Sequence, residues 1–459
     1  MSRRWKPLLL ALLLALPERV FAHAHLLTSA PVAGATLVQS PEWIRLWFSE
    51  APERSMTRVT LTDSTGVVIP IGPVQLQPTE RLGVQVKVTR TLRPGRYRVR
   101  WVTAGPDGHP SRGSFTFIVA TPPSAQKETT GENRDAPNGT GTGAPGQTAA
   151  TTESSGAMDV TSPWYVAARA LEFAALLVIV GAVVFRLAVV SRLSTLDDPD
   201  ARQMSSLSAR LGAIAALSLV AAAALRLILQ SRLMSAMVDD ASMRALSATR
   251  WGHALVYQAV LTAFALAGFL LARRGVRGGW LLAGVAAVAL ATSPALEGHA
   301  AASPHLTTLS IAIDTFHVLG ASGWLGTLFC GLSIGVPIAL GSEQRWQSVA
   351  TLVDAFSPVA LTCAGLTALT GLASAWLRLG SIDALTSTTY GRVLIVKLAL
   401  LAALAATGAY NWRRVKPSLG TAEATGRLRT LGTTELMIGF LIVVVTALLV
   451  ALPTPSYGS

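Results

Sequence analysis

EGHAAASPHLTTLSIAIDTFHVLGASGWLG, residues 297–326, is the stretch of sequence on which the interpretation of this chain depends. It contains three of the seven histidines, His299, His305 and His317, and it has an acid, Asp314, inside an otherwise apolar run. The residues around Asp314 and His317 are apolar enough to form a membrane-spanning helix. A titratable side chain in hydrocarbon costs at least ~2.5 kcal/mol, so such groups usually line a pathway or pair with a neighbour.

Asp314 and His317 are three residues apart and therefore share one face of the predicted helix. A single histidine there has about even odds of simply hydrogen-bonding to a neighbouring helix. Two more histidines at the helix mouth favour a metal or proton path. His305 and His317 lie about 18 Å apart along a helix axis. We therefore predict that His299 and His305 mark an entrance, and that Asp314 and His317 form a deeper site.

The composition of the whole chain is that of a polytopic membrane protein. Of its 459 residues, 51% are hydrophobic and 14% are charged. The net charge of +13 comes largely from basic residues that flank apolar runs, which argues against nucleic acid as a partner. We predict an all-α bundle of eight transmembrane helices within residues 161–455. The predicted spans are 164–190, 206–230, 252–273, 279–297, 305–336, 346–377, 391–412 and 432–453.

The first 22 residues predict a secretory signal peptide. Arg3, Arg4 and Lys6 precede an apolar core at 8–16, and Ala22 ends a small-residue cleavage site. Cleavage there would make His23 the mature N-terminus, although an uncleaved anchor is an alternative. An even number of spans then places the C-terminus on the same outer side. The loops predicted to lie inside carry more than twice as many basic residues as those outside, which agrees with this orientation.

A processed His23 has a chemical consequence. Its free α-amine and its imidazole can chelate one metal ion, and a second imidazole with a carboxylate would complete a set suited to tetragonal Cu(II). Asp107 and His109, in the loop Gly105-Pro106-Asp107-Gly108-His109, can supply that pair. Taken alone, Asp107 and Gly108 would more simply form a turn with His109 solvated. A processed His23 favours the metal site instead.

The residues between these ends show the alternation of β-strands. Apolar side chains at every second position, punctuated by Gly, Pro and Asp, predict an antiparallel sandwich of about one hundred residues, at 23–120. The alternating sets are Ile44, Leu46 and Phe48; Val84, Val86 and Val88; Tyr97, Val99 and Trp101; and Phe115 and Phe117. Residues 121–160 are rich in Thr, Gly, Pro and Ser and predict a flexible linker.

Residues 23–120 resemble the CopC family of periplasmic copper-binding sandwiches, whose fold is immunoglobulin-like or cupredoxin-like. The resemblance is carried by HAHLLTSAP at 23–31, PGRYRVRW at 94–101 and DGHPSRGSFTF at 107–117. It implies Cu(II) held by His23, Asp107 and His109, with His25 as a supporting or alternative ligand. Met56 is the only methionine in this stretch, so the methionine-rich Cu(I) site of some relatives is absent.

The second half resembles the CopD family of copper-transport membrane proteins. The matching stretches are GHA at 298–300, DTFHVLGASGWLG at 314–326, FSPVAL at 356–361, TTYGRVLIVKLAL at 388–400 and ALPTP at 451–455. CopC and CopD domains occur fused, and the resemblance implies copper uptake or copper resistance in a bacterial inner membrane. The implied partners are the copper ion, the lipid bilayer and other periplasmic copper carriers, and no enzyme activity is implied.

Two other functions fit parts of the sequence. An N-terminal histidine that chelates copper on a β-sandwich is also found in copper-dependent oxidative enzymes. A membrane haem or electron-transfer protein would need two histidines on facing spans, for which His253 and His317 are the plausible pair.

Overall fold

The computed structural model describes residues 26–77, 80, 82–105, 110–120, 162–193, 199–235, 249–298, 307–379 and 381–452. The chain divides into two compact units, one containing the strands and the other containing the helices. The predicted signal peptide and linker lie outside the described residues, so their boundaries stay predictions.

Among the described residues of the first unit, nine strands form two sheets. They are β1 (Leu26–Ala30), β2 (Thr36–Leu37), β3 (Trp43–Phe48), β4 (Arg58–Asp63), β5 (Val68–Ile69), β6 (Gln75–Leu76), β7 (Gly83–Lys87), β8 (Gly95–Ala104) and β9 (Pro110–Val119). One sheet has the order β1-β3-β7-β6 and the other β2-β9-β8-β4-β5. The paired strands are antiparallel except for β2, which runs parallel to β9. The expectation of a purely antiparallel sandwich was wrong there, because an edge strand of two residues leaves no alternation to detect.

The core of this unit lies between the two sheets. The apolar residues predicted to face inward are all buried, and those of β3 and β7 share one hydrophobic cluster with those of β8 and β9. The opposite positions of β8, Arg96, Arg98 and Arg100, are exposed. The fold is therefore the predicted β-sandwich.

Eight helices long and apolar enough to cross a membrane are present among the described residues. They are α1 (Pro163–Arg192), α2 (Pro199–Arg232), α3 (Arg250–Arg273), α4 (Gly278–Leu296), α5 (Thr307–Gly341), α6 (Arg345–Leu379), α7 (Thr389–Ser418) and α8 (Ala422–Ala451). The predicted number of spans is confirmed. We call the end where α1, α3, α5 and α7 finish the basic end, because it carries Arg273, Arg274, Arg277, Arg413, Arg414 and Lys416.

Small residues let the helices pack closely. Gly181 of α1 and Gly326 of α5 lie against each other, and a Cβ at either position would collide with the other backbone. Gly268 of α3 meets α4 at Gly279 and Ala283 in the same way. Such small-residue contacts are typical of helix association in membranes. α6 packs mainly on α5, and α7 packs mainly on α8.

Wider helical turns interrupt three of the spans. π-helical segments occur at Phe185–Val189 in α1, at Ser322–Gly326 and Gly331–Gly335 in α5, and at Asn411–Val415 in α7. A π-turn rotates the residues that follow it relative to a regular helix, and such turns are often found at functional sites. Two of them lie in α5, the helix that carries Asp314 and His317.

Candidate functional site

The described segments next to the predicted copper ligands lie at one end of the sandwich. Leu26, the first residue of β1, pairs with Phe48 at the end of β3. The Phe48 ring meets the Trp101 ring of β8, with 5.1 Å between ring centroids. The backbone N–H of Glu53 donates to the carbonyl of Ala104, the last residue of β8, at 2.8 Å. The start of β1 and the end of β8 therefore lie at the same end of the sandwich.

Most of the predicted site residues lie outside the described residues. These are His23, His25, Asp107 and His109 of the sandwich and His299 and His305 of the membrane entrance. Within the described ranges, no group of three or more His, Cys, Asp or Glu side chains is arranged to hold a metal ion. The structure thus positions the flanks of the sandwich site, while its ligand set stays a prediction.

Asp314 is paired with a cation. Its carboxylate accepts hydrogen bonds from Arg378 and, at 3.0 Å, from the Ser374 hydroxyl, both on α6. The side chain of Tyr390, on α7, is a further partner of Arg378. Lys397, seven residues on, is half-buried and lies within electrostatic reach of both Asp314 and Arg378. This group therefore links α5, α6 and α7, and Arg378 is the cation paired with the Asp314 carboxylate.

His317 forms hydrogen bonds with α6 through one ring nitrogen. Its Nδ1 lies 3.1 Å from the Thr367 carbonyl oxygen and 3.2 Å from the Thr370 hydroxyl. The ring fits closely against Gly371, where a Cβ would come within 3.1 Å of it. A carbonyl oxygen only accepts, so Nδ1 carries the proton and Nε2 keeps its lone pair. Histidines that bind metals are commonly oriented by such an Nδ1–H bond to a carbonyl.

A second charged group lies within α1 to α4. Arg226 donates to Glu172 at 2.6 Å and to Glu297 at 2.5 Å. Arg169 donates to Glu297 at 3.1 Å and lies 3.9 Å from Glu172, which is three positions further along α1. Gln258 donates to Glu172 at 2.7 Å. We call these five side chains the Arg–Glu network.

The Arg–Glu network is deeply buried and electrically balanced. Its four charged residues are at most 4% exposed, and two arginines offset two glutamates. Glu297 follows the last residue of α4 and precedes His299 by two positions, so the network fixes the chain just before the predicted entrance. Arg226 and Glu297 could have been noticed as charges in or beside apolar runs, but nothing in the sequence indicates their pairing.

Both units of the chain are similar to known protein families. Three family models match the chain: the CopC domain at residues 26–120, the copper resistance protein D-like N-terminal domain at 158–307, and copper resistance protein D at 350–449. Copper resistance protein C of Xanthomonas campestris pv. juglandis is 36% identical over 104 residues, which are 22% of this chain and 81% of that protein. The chain belongs to the CopC and CopD families, as a fusion of the two.

Other relatives of this CopC–CopD fusion cover either one domain or nearly the whole chain. The copper transport protein CutJ of Bacillus subtilis (strain 168) is 27% identical over 469 residues, covering 98% of this chain and 78% of CutJ. Protein YobA of Escherichia coli (strain K12) is 33% identical over 100 residues, 22% of this chain and 81% of YobA. The fusion is thus a multi-pass membrane protein from families of copper resistance and transport proteins.

Solved structures match the CopC part of the fusion. The crystal structure of CopC from Methylosinus trichosporium OB3b is 22% identical, with a TM-score of 0.21, over 24% of this chain and all of that one. PcoC, a methionine-rich copper resistance protein from Escherichia coli, is 29% identical, with a TM-score of 0.19, over 21% of this chain and 99% of PcoC.

Proposed function

We propose that this CopC–CopD fusion captures Cu(II) on the outer side of a bacterial inner membrane and passes copper to or through its helical bundle. The capture site consists of the α-amine and imidazole of His23, the carboxylate of Asp107 and the imidazole of His109. His25 supports that site or replaces one of its ligands. Copper is the cargo here, and whether the bundle serves uptake or resistance depends on the direction of movement.

The observation that carries the capture step is the topology of the sandwich. Leu26 and the end of β8 lie at one end of the sandwich, and His23 is only three positions from Leu26, as Asp107 is from Ala104. Three residues extend at most about 10 Å, which is the range in which one metal ion could be shared. If β1 began at the opposite end of the sandwich from the end of β8, these residues could not share one metal ion.

For the membrane step, the proposal assigns metal binding to His317 and entrance roles to His299 and His305. The support is that Nδ1 of His317 bonds to Thr367 and leaves Nε2 available as a ligand. Asp314, by contrast, is neutralised by Arg378 and acts by holding α5 against α6. The buried Arg–Glu network holds the chain before His299 in place.

The proposed orientation puts the basic end in the cytoplasm. That end carries the arginines after α3 and α7, and basic residues near span ends are retained inside during insertion. The sandwich and the C-terminus would then both face the periplasm, where other periplasmic copper carriers could exchange the ion with the sandwich.

The two rival functions have less support. A copper-dependent oxidative enzyme leaves the membrane bundle unexplained, and an assay of copper-dependent oxidation by the purified protein separates it from the proposal. A haem protein would need His253 and His317 on facing helices. In the structure His253 is exposed at the start of α3, and His317 bonds to α6. A haem absorption band in the purified protein would revive that function.

The proposal is tested by copper flux in vesicles of known orientation. We expect vesicles containing the full chain to move copper across the bilayer, and the direction distinguishes uptake from export. A sandwich variant, His109→Ala, should lower the initial rate at limiting copper. Equal flux in empty and protein-containing vesicles would contradict the proposed function.

A further inference from the structure

A cavity of about 420 Å³ lies within the helical unit, toward the basic end. Its walls come from α1, α5, α6, α7 and α8 and are mostly apolar, with Trp324, Phe356 and Trp412 among them. Arg413, which is exposed, also lines the cavity, so the cavity reaches the protein surface. Glu435 of α8 is the one acidic side chain among its described lining residues.

Glu435 differs from the other acidic residues inside the bundle. Glu172, Glu297 and Asp314 each contact an arginine. Glu435 is 5% exposed, and among the described residues no salt bridge connects it to a cation. It lies six residues beyond Arg429, about 9 Å along the helix and into the apolar part of α8. A carboxylate buried without a cation is so costly that the neutral acid is the stable form.

The hydrogen bonding of Asn411, the partner of Glu435, also favours the neutral acid. Nδ2 of Asn411 donates to Oε1 of Glu435 at 3.3 Å, whereas Oδ1 of Asn411 is buried and has no hydrogen-bond partner in the part of the chain described. A carboxylic acid has an O–H donor that a carboxylate lacks, and a buried amide oxygen without a partner requires such a donor. Asn411 begins the π-helical segment of α7, and its side chain contacts Glu435 on α8.

Besides Glu435, the charged side chains among the described residues that line the cavity are two cations. On the elements packed against α8, Arg413 and Lys416 line the cavity, and Lys416 is paired with Asp354 at 3.1 Å. Neither cation forms an ion pair with Glu435. The site also offers no nitrogen or sulfur donor set for copper, because one carboxyl and one amide are hard oxygen ligands.

We infer that Glu435 is a proton-binding site, held as a neutral acid beside Asn411 and exchanging its proton with water through the cavity. Release of the proton to water gives a carboxylate and a hydronium ion, and the negative charge then attracts a copper ion toward the basic end without coordinating it. Transfer of a proton back from hydronium restores the neutral acid and removes that attraction. This last step, an exchange of protons for copper, rests on the proposed function, but the protonation of Glu435 does not.

Infrared spectroscopy of the purified full chain tests the protonation directly. At neutral pH we expect a carboxylic-acid C=O band that shifts in D₂O, disappears in Glu435→Gln and moves in Glu435→Asp. The control is Glu423→Gln on the same helix, because Glu423 is exposed and paired with Arg427. An unchanged band in a folded Glu435→Gln protein would overturn the inference, and the Glu435→Asp shift decides it if the glutamine variant fails to fold.

A second measurement separates this inference from the proposed function. In vesicles, copper flux through the wild-type chain should be accompanied by proton flux in the opposite direction, and Glu435→Gln should reduce the proton flux at least tenfold. Copper movement without proton movement in the wild type would overturn the exchange step. An absence of copper movement would overturn the proposed function, while the infrared band would still decide whether Glu435 is protonated.

Discussion

His317 shows how the same side chain can be both a structural contact and a ligand. One nitrogen bonds to α6 at Thr367 and Thr370, which is the interhelical role that a lone histidine in a span often has. That bond also fixes the tautomer, so the second nitrogen is left with a lone pair in a fixed direction. The two roles are therefore compatible, and only a functional measurement distinguishes them.

We expect His317→Ala to lower copper flux in vesicles at least tenfold, because it removes the proposed ligand. His253→Ala is the matched control, since His253 is exposed at the start of α3 and has no proposed role. Both variants should be compared at equal amounts of folded protein. If both transport copper like the wild type, His317 is a structural contact only.

The Arg–Glu network predicts a large cost for removing one member. Arg226→Met leaves Glu172 and Glu297 buried with one arginine between them, and breaking a buried pair typically costs about 3–5 kcal/mol. Arg427→Ala removes the exposed Glu423 pair and should cost less than about 1 kcal/mol. Thermal unfolding of the purified protein in detergent measures both. Equal midpoints for the two variants would show that the network does not stabilise the bundle.

The burial of single residues could be predicted from the sequence, whereas the pairing of distant charged residues could not. Burial in the sandwich was predicted correctly because alternation decides which side of a strand faces the core, as at Ile44, Leu46 and Phe48. The bonds of Arg226 to Glu297, 71 positions apart, were not predicted, because pairing between distant spans depends on helix packing. Arg378 as the partner of Asp314 was missed for the same reason.

At the level of helices, glycines bring α1 and α5 into contact. Gly181 and Gly326 leave no room for a Cβ, and this contact orients the helix that carries His317. In membranes the attraction between helices comes mainly from such close packing rather than from a hydrophobic effect.

Gly181→Ala should therefore destabilise the bundle by about 1–3 kcal/mol, the usual cost of overpacking a tight site. Gly408→Ala, in α7, is the control, because nothing lies within 4 Å of a Cβ there. That control should be neutral or slightly stabilising, since alanine is a better helix former than glycine. The comparison again uses thermal unfolding, and equal destabilisation by both variants would show that the α1–α5 contact is not tight.

The eight spans were predictable because each holds a long apolar run, which is a strong signal. Their ends were not: α2 begins at Pro199 rather than near 206, and α8 at Ala422 rather than near 432. Polar first turns extend these helices beyond the apolar part. The π-helical segments and the parallel pairing of β2 also had no signal, because they depend on contacts rather than on composition.

At the scale of the whole molecule, the proposed function combines an extracytoplasmic capture domain and a membrane bundle in one chain. The family relationship of both halves supports that combination. The chemistry of capture, however, depends on a processing event, because only cleavage after Ala22 gives His23 a free α-amine. That single peptide bond determines whether the sandwich can provide the proposed amine–imidazole chelate.

Electron paramagnetic resonance of the processed full-length protein with one equivalent of Cu(II) tests this most directly, together with mass spectrometry of its N-terminus. We predict a mature chain that starts at His23 and a tetragonal Cu(II) signal with nitrogen hyperfine coupling. His23→Ala and His109→Ala should each change that signal and weaken binding, while His25→Ala should have a smaller effect. A mature protein that starts elsewhere, or a Cu(II) signal unchanged in both His23→Ala and His109→Ala, would contradict the account.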